Sequence, residues 1–210
     1  LARALVNRPA LLLLDEPLSA LDKKIAEQTR LELCELQRKV GIAFVFVTHN
    51  QTEALTLANR IAVMDRGLVA QCAPPAELYA RPVTAFVADF IGSLNFFDGV
   101  VTANSAAGTE LRLFDAYPAR YREAATCAPG DAVRYGVRPE QLRVSMLEPK
   151  EFENGLAGVI ERLIFMGEAT KFIIRLDNGQ QVRVDVLNYL VIEEKPLGFE
   201  LGERIFITWS

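Results

Sequence analysis

Residues 10–14 read Ala-Leu-Leu-Leu-Leu, and the run stops abruptly at Asp15-Glu16. A short continuous apolar stretch of this kind is the pattern of a strand buried on both faces, as in a parallel sheet. Two adjacent carboxylates at the edge of a core repel each other and are costly to keep ionised. The strand therefore has to empty into a polar crevice at its carboxyl end, which is where open parallel sheets place their ligands. A second apolar run, residues 42–47, ends the same way at Thr48-His49. Between the two, Lys23–Val40 carries Ile25, Leu33, Leu36 and Val40 on one helical stripe, with Asp22 placed to cap its start and Gly41 to close it. Strand, helix and strand joined by short links predict a βαβ unit and a parallel sheet.

Downstream, the pattern predicts a short helix over 53–59, a strand over 60–64, a hairpin turn at Asp65-Arg66-Gly67 and its partner strand over 68–71. Pro74-Pro75 leads into a short helix at 76–79, and a second follows at 84–91. Upstream, residues 1–7 read as the tail of a helix stopped by Asn7-Arg8-Pro9. Gly92-Ser93 marks a boundary, giving an α/β part over 1–92 and a mostly β part over 93–210, the latter a small barrel or sandwich. Its strand candidates are 99–102, 111–114, Ala132–Val137, 142–144, 157–163, 170–176, 181–186 and 204–208. Asp177-Asn178-Gly179, set between two alternating runs, is a strong hairpin signal. Residues 159–165 and 172–176 bear a loose likeness to the strands near residue 100, which leaves an internal repeat open.

Charge narrows the function. The chain carries 23 Lys and Arg against 27 Asp and Glu. Residues 1–92 are balanced at ten of each, so the whole acidic excess lies in 93–210, and neither part has the basic surplus of a nucleic-acid binder. No apolar stretch approaches the roughly 18 residues needed to span a bilayer. Cys34, Cys72 and Cys127 form no Cys-x-x-Cys pair, which fits a reducing compartment.

At the strand ends the residue types suit nucleotide hydrolysis. An aspartate such as Asp15 holds Mg²⁺ through its water shell. A glutamate such as Glu16 accepts a proton from an attacking water or orients it. His49, the only histidine, is placed to touch a γ-phosphate if the two strands are neighbours. The plainer alternatives are a chance acidic pair, a histidine that only caps a loop, an Asp22 that only caps its helix, and a Cys34 that only packs.

The segments "LARAL", "LLLLDEPLSALD", "VFVTHNQTEAL" and "ANRIAVMDRG" resemble the second half of the ATPase subunit of an ABC transporter. On that resemblance Asp15-Glu16 is the end of the Walker B strand, Ser19, Leu21 and Asp22 belong to the nucleotide-contacting D-loop, and His49 is the switch histidine. "ELYARPVTAFVADFIGSLNFFDG" and "YGVRPEQLRV" are similar to importer ATPases with a C-terminal regulatory TOBE domain, an oligonucleotide-binding-like β fold. The polyamine (spermidine/putrescine) importers are nearest in character, with ferric-iron and sugar importers as alternatives. The resemblance implies ATP and Mg²⁺ as cofactors, with Glu16 and His49 catalytic and Asp15 the metal residue. It also implies a homodimer of ATPase subunits, transmembrane permease partners, an indirect link to an extracytoplasmic solute-binding protein, no nucleic acid, and a peripheral place on the cytoplasmic face of the inner membrane. A chromosome- or repair-type ATPase shares the Walker B and D-loop pattern but not the β-rich tail. A non-catalytic ligand-sensing role for the β part is a further alternative.

Departures accompany the resemblance. No Gly-x-x-x-x-Gly-Lys-Ser/Thr loop, Q-loop or LSGGQ-like signature occurs in these residues, so the chain reads as a C-terminal fragment. Ala26 stands where the family usually has Arg, Asn50 where Asp is common, and Ala73 where Gly is usual.

Overall fold

The computed structural model describes residues 5–6, 9–148, 154–188 and 198–210. Among them are thirteen strands and four α-helices, so the chain is mostly β. It divides into two compact units, Leu1–Gly92 and Ser93–Ser210. Most of the helical tail expected over residues 1–7 lies outside the described residues.

In the first unit, β1 (Leu11–Asp15) pairs in parallel with β2 (Ala43–Val47), Leu11 opposite Ala43 and Asp15 opposite Val47. The connection is α1 (Lys23–Val40). Its start is capped by Asp22, whose Oδ1 accepts from the Ile25 N–H at 3.0 Å. Its end is closed by Gly41 at φ 70°, whose N–H donates to the Gln37 carbonyl at 2.9 Å. Two expectations are corrected here. β1 is not buried on both faces: Leu12 is 5% exposed, while Leu11 and Leu13 on the opposite face are 53% and 65% exposed. The reason is the sheet's extent, since β1 and β2 pair only with each other among the described residues. The buried stripe of α1 is also rotated. It centres on Ala26 and Leu33, one heptad apart, whereas Ile25 and Val40 are exposed. Ala26, unusual for the resembled family, is thus a core residue.

The helix after β2 is α2 (Gln51–Leu57). The following strand is not a third member of the parallel sheet. β3 (Ile61–Asp65) pairs antiparallel with β4 (Leu68–Ala73) in a sheet of their own. Arg66 and Gly67, at φ 48° and 82°, make the two-residue turn. Both central residues at positive φ is the type I′ geometry that matches strand twist, and glycine at the second position removes its steric cost. Ile61, Val63 and Ala73 pack with Leu78 of α3 (Pro75–Ala80) and with Val87 and Ile91 of α4 (Ala85–Ile91).

The second unit has two antiparallel sheets. One runs β7-β6-β5-β8, made of β5 (Asn95–Ser105), β6 (Gly108–Leu113), β7 (Tyr117–Tyr121) and β8 (Ala132–Val137). The other runs β12-β11-β10-β13-β9. Its strands are β9 (Arg143–Ser145), β10 (Asn154–Phe165), β11 (Ala169–Leu176), β12 (Gln181–Leu187) and β13 (Arg204–Trp209). Asp177-Asn178-Gly179 does turn the β11–β12 hairpin, with the Gly179 N–H donating to the Leu176 carbonyl at 2.8 Å. Side chains of both sheets share one core, including Phe97, Leu113, Ile160, Phe172 and Ile205.

The internal repeat left open by the sequence is present, because the two sheets use the same devices. β5 and β10 each begin with a buried Asn whose carboxamide pairs with the backbone N–H and C=O of one residue on a strand of the other sheet. Asn95 donates to the Arg183 carbonyl at 2.7 Å and accepts from its N–H at 2.9 Å. Asn154 does the same to Arg120, at 3.0 and 2.6 Å. Gly99 and Gly158, four residues on in each strand, both run against the neighbouring strand. A Cβ on Gly99 would lie 2.9 Å from the Arg112 carbonyl oxygen, and one on Gly158 2.6 Å from that of Arg175. Next, Val101 bonds to Asp131 and Gly130, and Ile160 to Glu203 and Gly202, with matching donors and acceptors. Each long strand then carries a register shift, after Val101 and after Ile160 respectively.

Candidate active site

The parallel register brings the ends of β1 and β2 level. With Asp15 opposite Val47, the Glu16 N–H donates to the Val47 carbonyl at 2.8 Å, one step past the last strand pair. There the chain turns at Glu16, with φ 42°. Left-handed backbone is uncommon for a residue with a Cβ, and where it persists its surroundings hold it. Here the Ser19 hydroxyl and N–H both donate to the Glu16 carbonyl, at 3.0 and 3.3 Å. Leu18, buried behind the turn, accepts from the Leu21 N–H at 3.1 Å.

The turned Glu16 carboxylate meets His49. Glu16 Oε1 and His49 Nδ1 are 2.9 Å apart although 33 positions separate them in sequence. An ionised carboxylate only accepts, so Nδ1 carries the hydrogen and donates. Nε2 is left to the solvent, on a side chain 76% exposed. A neutral ring in this tautomer presents an acceptor at Nε2, and a protonated ring presents a donor there.

Of the residues singled out from sequence, Glu16 and His49 are in contact, and Ser19 holds the backbone of Glu16. Asp22 caps α1, so its plainer reading is realised geometrically. Leu21 is exposed at 39%, and Asp15 is exposed at the end of β1. Among the described residues no group of three or more His, Cys, Asp or Glu side chains is placed to hold a metal ion. One exposed carboxylate at a strand end nevertheless fits Mg²⁺, which keeps most of its waters and takes one or two carboxylates plus substrate phosphates. A groove of about 830 Å³ lined by Phe44, Phe46, His49 and Met64 reaches His49 but not Asp15 or Glu16.

Sequence reading named Thr48 only as the end of the second run and gave Glu53 no role beyond the start of a helix. The Thr48 hydroxyl donates to Glu53 Oε2 at 2.8 Å and accepts from the Asn50 N–H at 3.0 Å. Asn50 caps α2, its Oδ1 accepting from the Glu53 N–H at 3.2 Å. Glu53 is 5% exposed. Asn followed three residues later by Glu at a helix start is a capping-box pattern, and that signal marks Glu53.

Comparison with known proteins agrees with the resemblance. Residues 135–210 match the TOBE domain family. The whole chain is 42% identical, over 218 residues, to the spermidine/putrescine import ATP-binding protein PotA of Rubrobacter xylanophilus, covering 54% of that protein. It is 40% identical to the protein of the same name from Pseudomonas aeruginosa, covering 57% of it. An uncharacterized ABC transporter ATP-binding protein of Escherichia coli, YdcT, is 38% identical over the whole chain, which covers 54% of it. The chain thus spans about half the length of the curated relatives it matches. Among solved structures, the cytoplasmic molybdate-binding protein ModG aligns with 55% of this chain and 89% of its own, at 17% identity and TM-score 0.47, too remote to carry fold or ligand.

Proposed function

From a TOBE domain at 135–210 and similarity to ABC import ATP-binding proteins along all of its residues, we propose that this chain forms the C-terminal part of an importer ATPase for polyamines. The residues 1–92 then complete a P-loop α/β nucleotide-binding domain, and 93–210 form its regulatory β domain. The observation that carries the reading is the Glu16–His49 pair at the carboxyl end of a parallel strand pair.

The chemistry follows from the atoms. Hydrolysis of a phosphoanhydride needs a water aimed at the γ-phosphorus and a group to take its proton. Glu16 supplies the carboxylate, and its contact with His49 fixes the direction in which that carboxylate points. His49, with its side chain 76% exposed and Nδ1 committed to Glu16, has Nε2 available to meet the γ-phosphate oxygens and sense whether they are there. Asp15 would hold Mg²⁺, which would supply neutralisation of the triphosphate's negative charge. Ser19 keeps Glu16 in its turned backbone conformation, and the exposed Leu21 belongs to the face that meets a second copy. In a protein of the relatives' length, two copies enclose the nucleotide. Their closure and reopening drive transmembrane permease subunits from the cytoplasmic face of the membrane, with the solute-binding protein acting through the permease.

The test is uptake. The protein at the relatives' full length, assembled with its permease in vesicles that enclose ATP and Mg²⁺ on the ATPase side and supplied with the solute-binding protein outside, is expected to drive ATP-dependent uptake of spermidine or putrescine. ATP-driven movement of ferric iron or a sugar, with no polyamine flux, would replace the polyamine reading by one of its alternatives.

A further inference from the structure

We infer that Glu53 is a positioning residue for His49, acting through the Thr48 hydroxyl; the inference rests on the hydrolytic reading of the Glu16–His49 pair. Glu53 is a carboxylate 5% exposed, and the chemistry above makes no use of it. Burial of such a group is costly unless it is hydrogen-bonded. Its Oε2 accepts the Thr48 hydroxyl hydrogen at 2.8 Å, and the same hydroxyl oxygen accepts the Asn50 N–H at 3.0 Å. Its own N–H goes to Asn50 Oδ1 at 3.2 Å. Thr48 and Asn50 flank His49, so the side chain on each side is tied to Glu53, Thr48 to the Glu53 carboxylate and Asn50 to the Glu53 backbone N–H.

The link matters because His49 has little else to orient it. Its side chain is 76% exposed, and the contact to Glu16 fixes one ring nitrogen. The direction of the ring is then set by the backbone of the 48–50 turn. A hydroxyl has one hydrogen to donate, and committing it to a buried acceptor stops the turn from rotating. A plain capping role for Glu53 needs only its backbone N–H on Asn50. The side-chain bond to Thr48 is surplus to that role.

The rotation of the turn is readable directly. His49 is the only histidine, so in the 210-residue chain, kept dilute enough to stay monomeric, the imidazole Cε1–H resonance reports this ring alone. Glu53→Gln retains an acceptor for Thr48 and is expected to leave the resonance in place. Glu53→Ala and Thr48→Val are each expected to shift or broaden it, and the double variant to add nothing further. In the protein at the relatives' full length, Glu53→Ala is expected to lower kcat about 10- to 100-fold, the size of a small misplacement of a catalytic group, with KM for ATP unchanged. In a His49→Ala background the same change is expected to cost nothing more. An unmoved resonance in Glu53→Ala and Thr48→Val, or a full loss on the His49→Ala background, would overturn the inference. If His49→Ala by itself kept wild-type turnover, the hydrolytic reading would fall, while the resonance would still decide what Glu53 does.

Discussion

Glu16 and His49 touch at the surface, and exposed pairs of this kind contribute only about 0.2–1 kcal/mol to stability. The pair is therefore a poor stabiliser, and a chain that bends Glu16 to φ 42° to make it gains little in folding. We predict that His49→Ala lowers thermal stability by no more than about that amount, yet cuts hydrolysis by ~10²-fold or more in a full-length protein, as loss of a positioned group does. Thermal melts and phosphate release measured side by side check it. A variant that melts early but hydrolyses normally would make His49 a loop cap. The residue types of this site were legible in the sequence, since an apolar run ending in Asp-Glu and another ending in Thr-His are local patterns. The contact between Glu16 and His49 was not, because it depends on β1 and β2 being neighbours with Asp15 level with Val47. Glu53 was missed for a related reason. Its burial is a tertiary fact, and only the Asn50–Glu53 spacing hints at it.

Among the elements, the two carboxamide bridges decide whether the β sheets behave as one body. Removing Asn95 or Asn154 leaves a backbone N–H and a C=O of Arg183 or Arg120 without the partner they have now. We predict that Asn95→Ala and Asn154→Ala each destabilise the second unit by ~1–3 kcal/mol, the cost of orphaned polar groups. Asn→Asp should be as damaging, since a carboxylate cannot donate to the facing carbonyl. Denaturant midpoints of the four variants check this; values within 0.3 kcal/mol of wild type, on the order of an additivity error, would reduce the bridges to surface contacts. Gly158→Ala is expected to destabilise by ~1–3 kcal/mol for overpacking, because its Cβ would sit 2.6 Å from the Arg175 carbonyl oxygen. Helix α1 was readable to its ends from Asp22 and Gly41, and β8 from its alternation. β7 escaped notice because Tyr-Pro-Ala-Arg-Tyr has a proline and two exposed positions at its end. The structure explains it: β7 is an edge strand, where proline is tolerated. The buried-strand reading of β1 failed because exposure depends on which strands lie alongside, and that is not written in five leucine-rich residues.

For the whole molecule, the two units differ in how complete they are. The second encloses a core built from both of its sheets, whereas in the first Leu11, Leu13, Val45 and Val47 stand 43–65% exposed on a two-stranded sheet. Open strand edges beside apolar surface promote pairing between chains. The 210-residue chain is thus predicted to self-associate with concentration through its first unit while the β unit stays folded; sedimentation and hydrogen exchange would show both, and a monodisperse monomer with a fully protected first unit would contradict it. These residues also hold no glycine-rich loop with its lysine, the source of most triphosphate affinity. Calorimetric titration of this chain with ATP and Mg²⁺ is predicted to show no micromolar binding. The central claim, that Glu16 is the hydrolytic carboxylate, is tested most directly by ATP binding and single-turnover hydrolysis of Glu16→Gln in a protein of the relatives' full length. The account predicts that nucleotide binding is retained while hydrolysis falls by ~10²–10⁴-fold. Hydrolysis at the wild-type rate in that variant would contradict it.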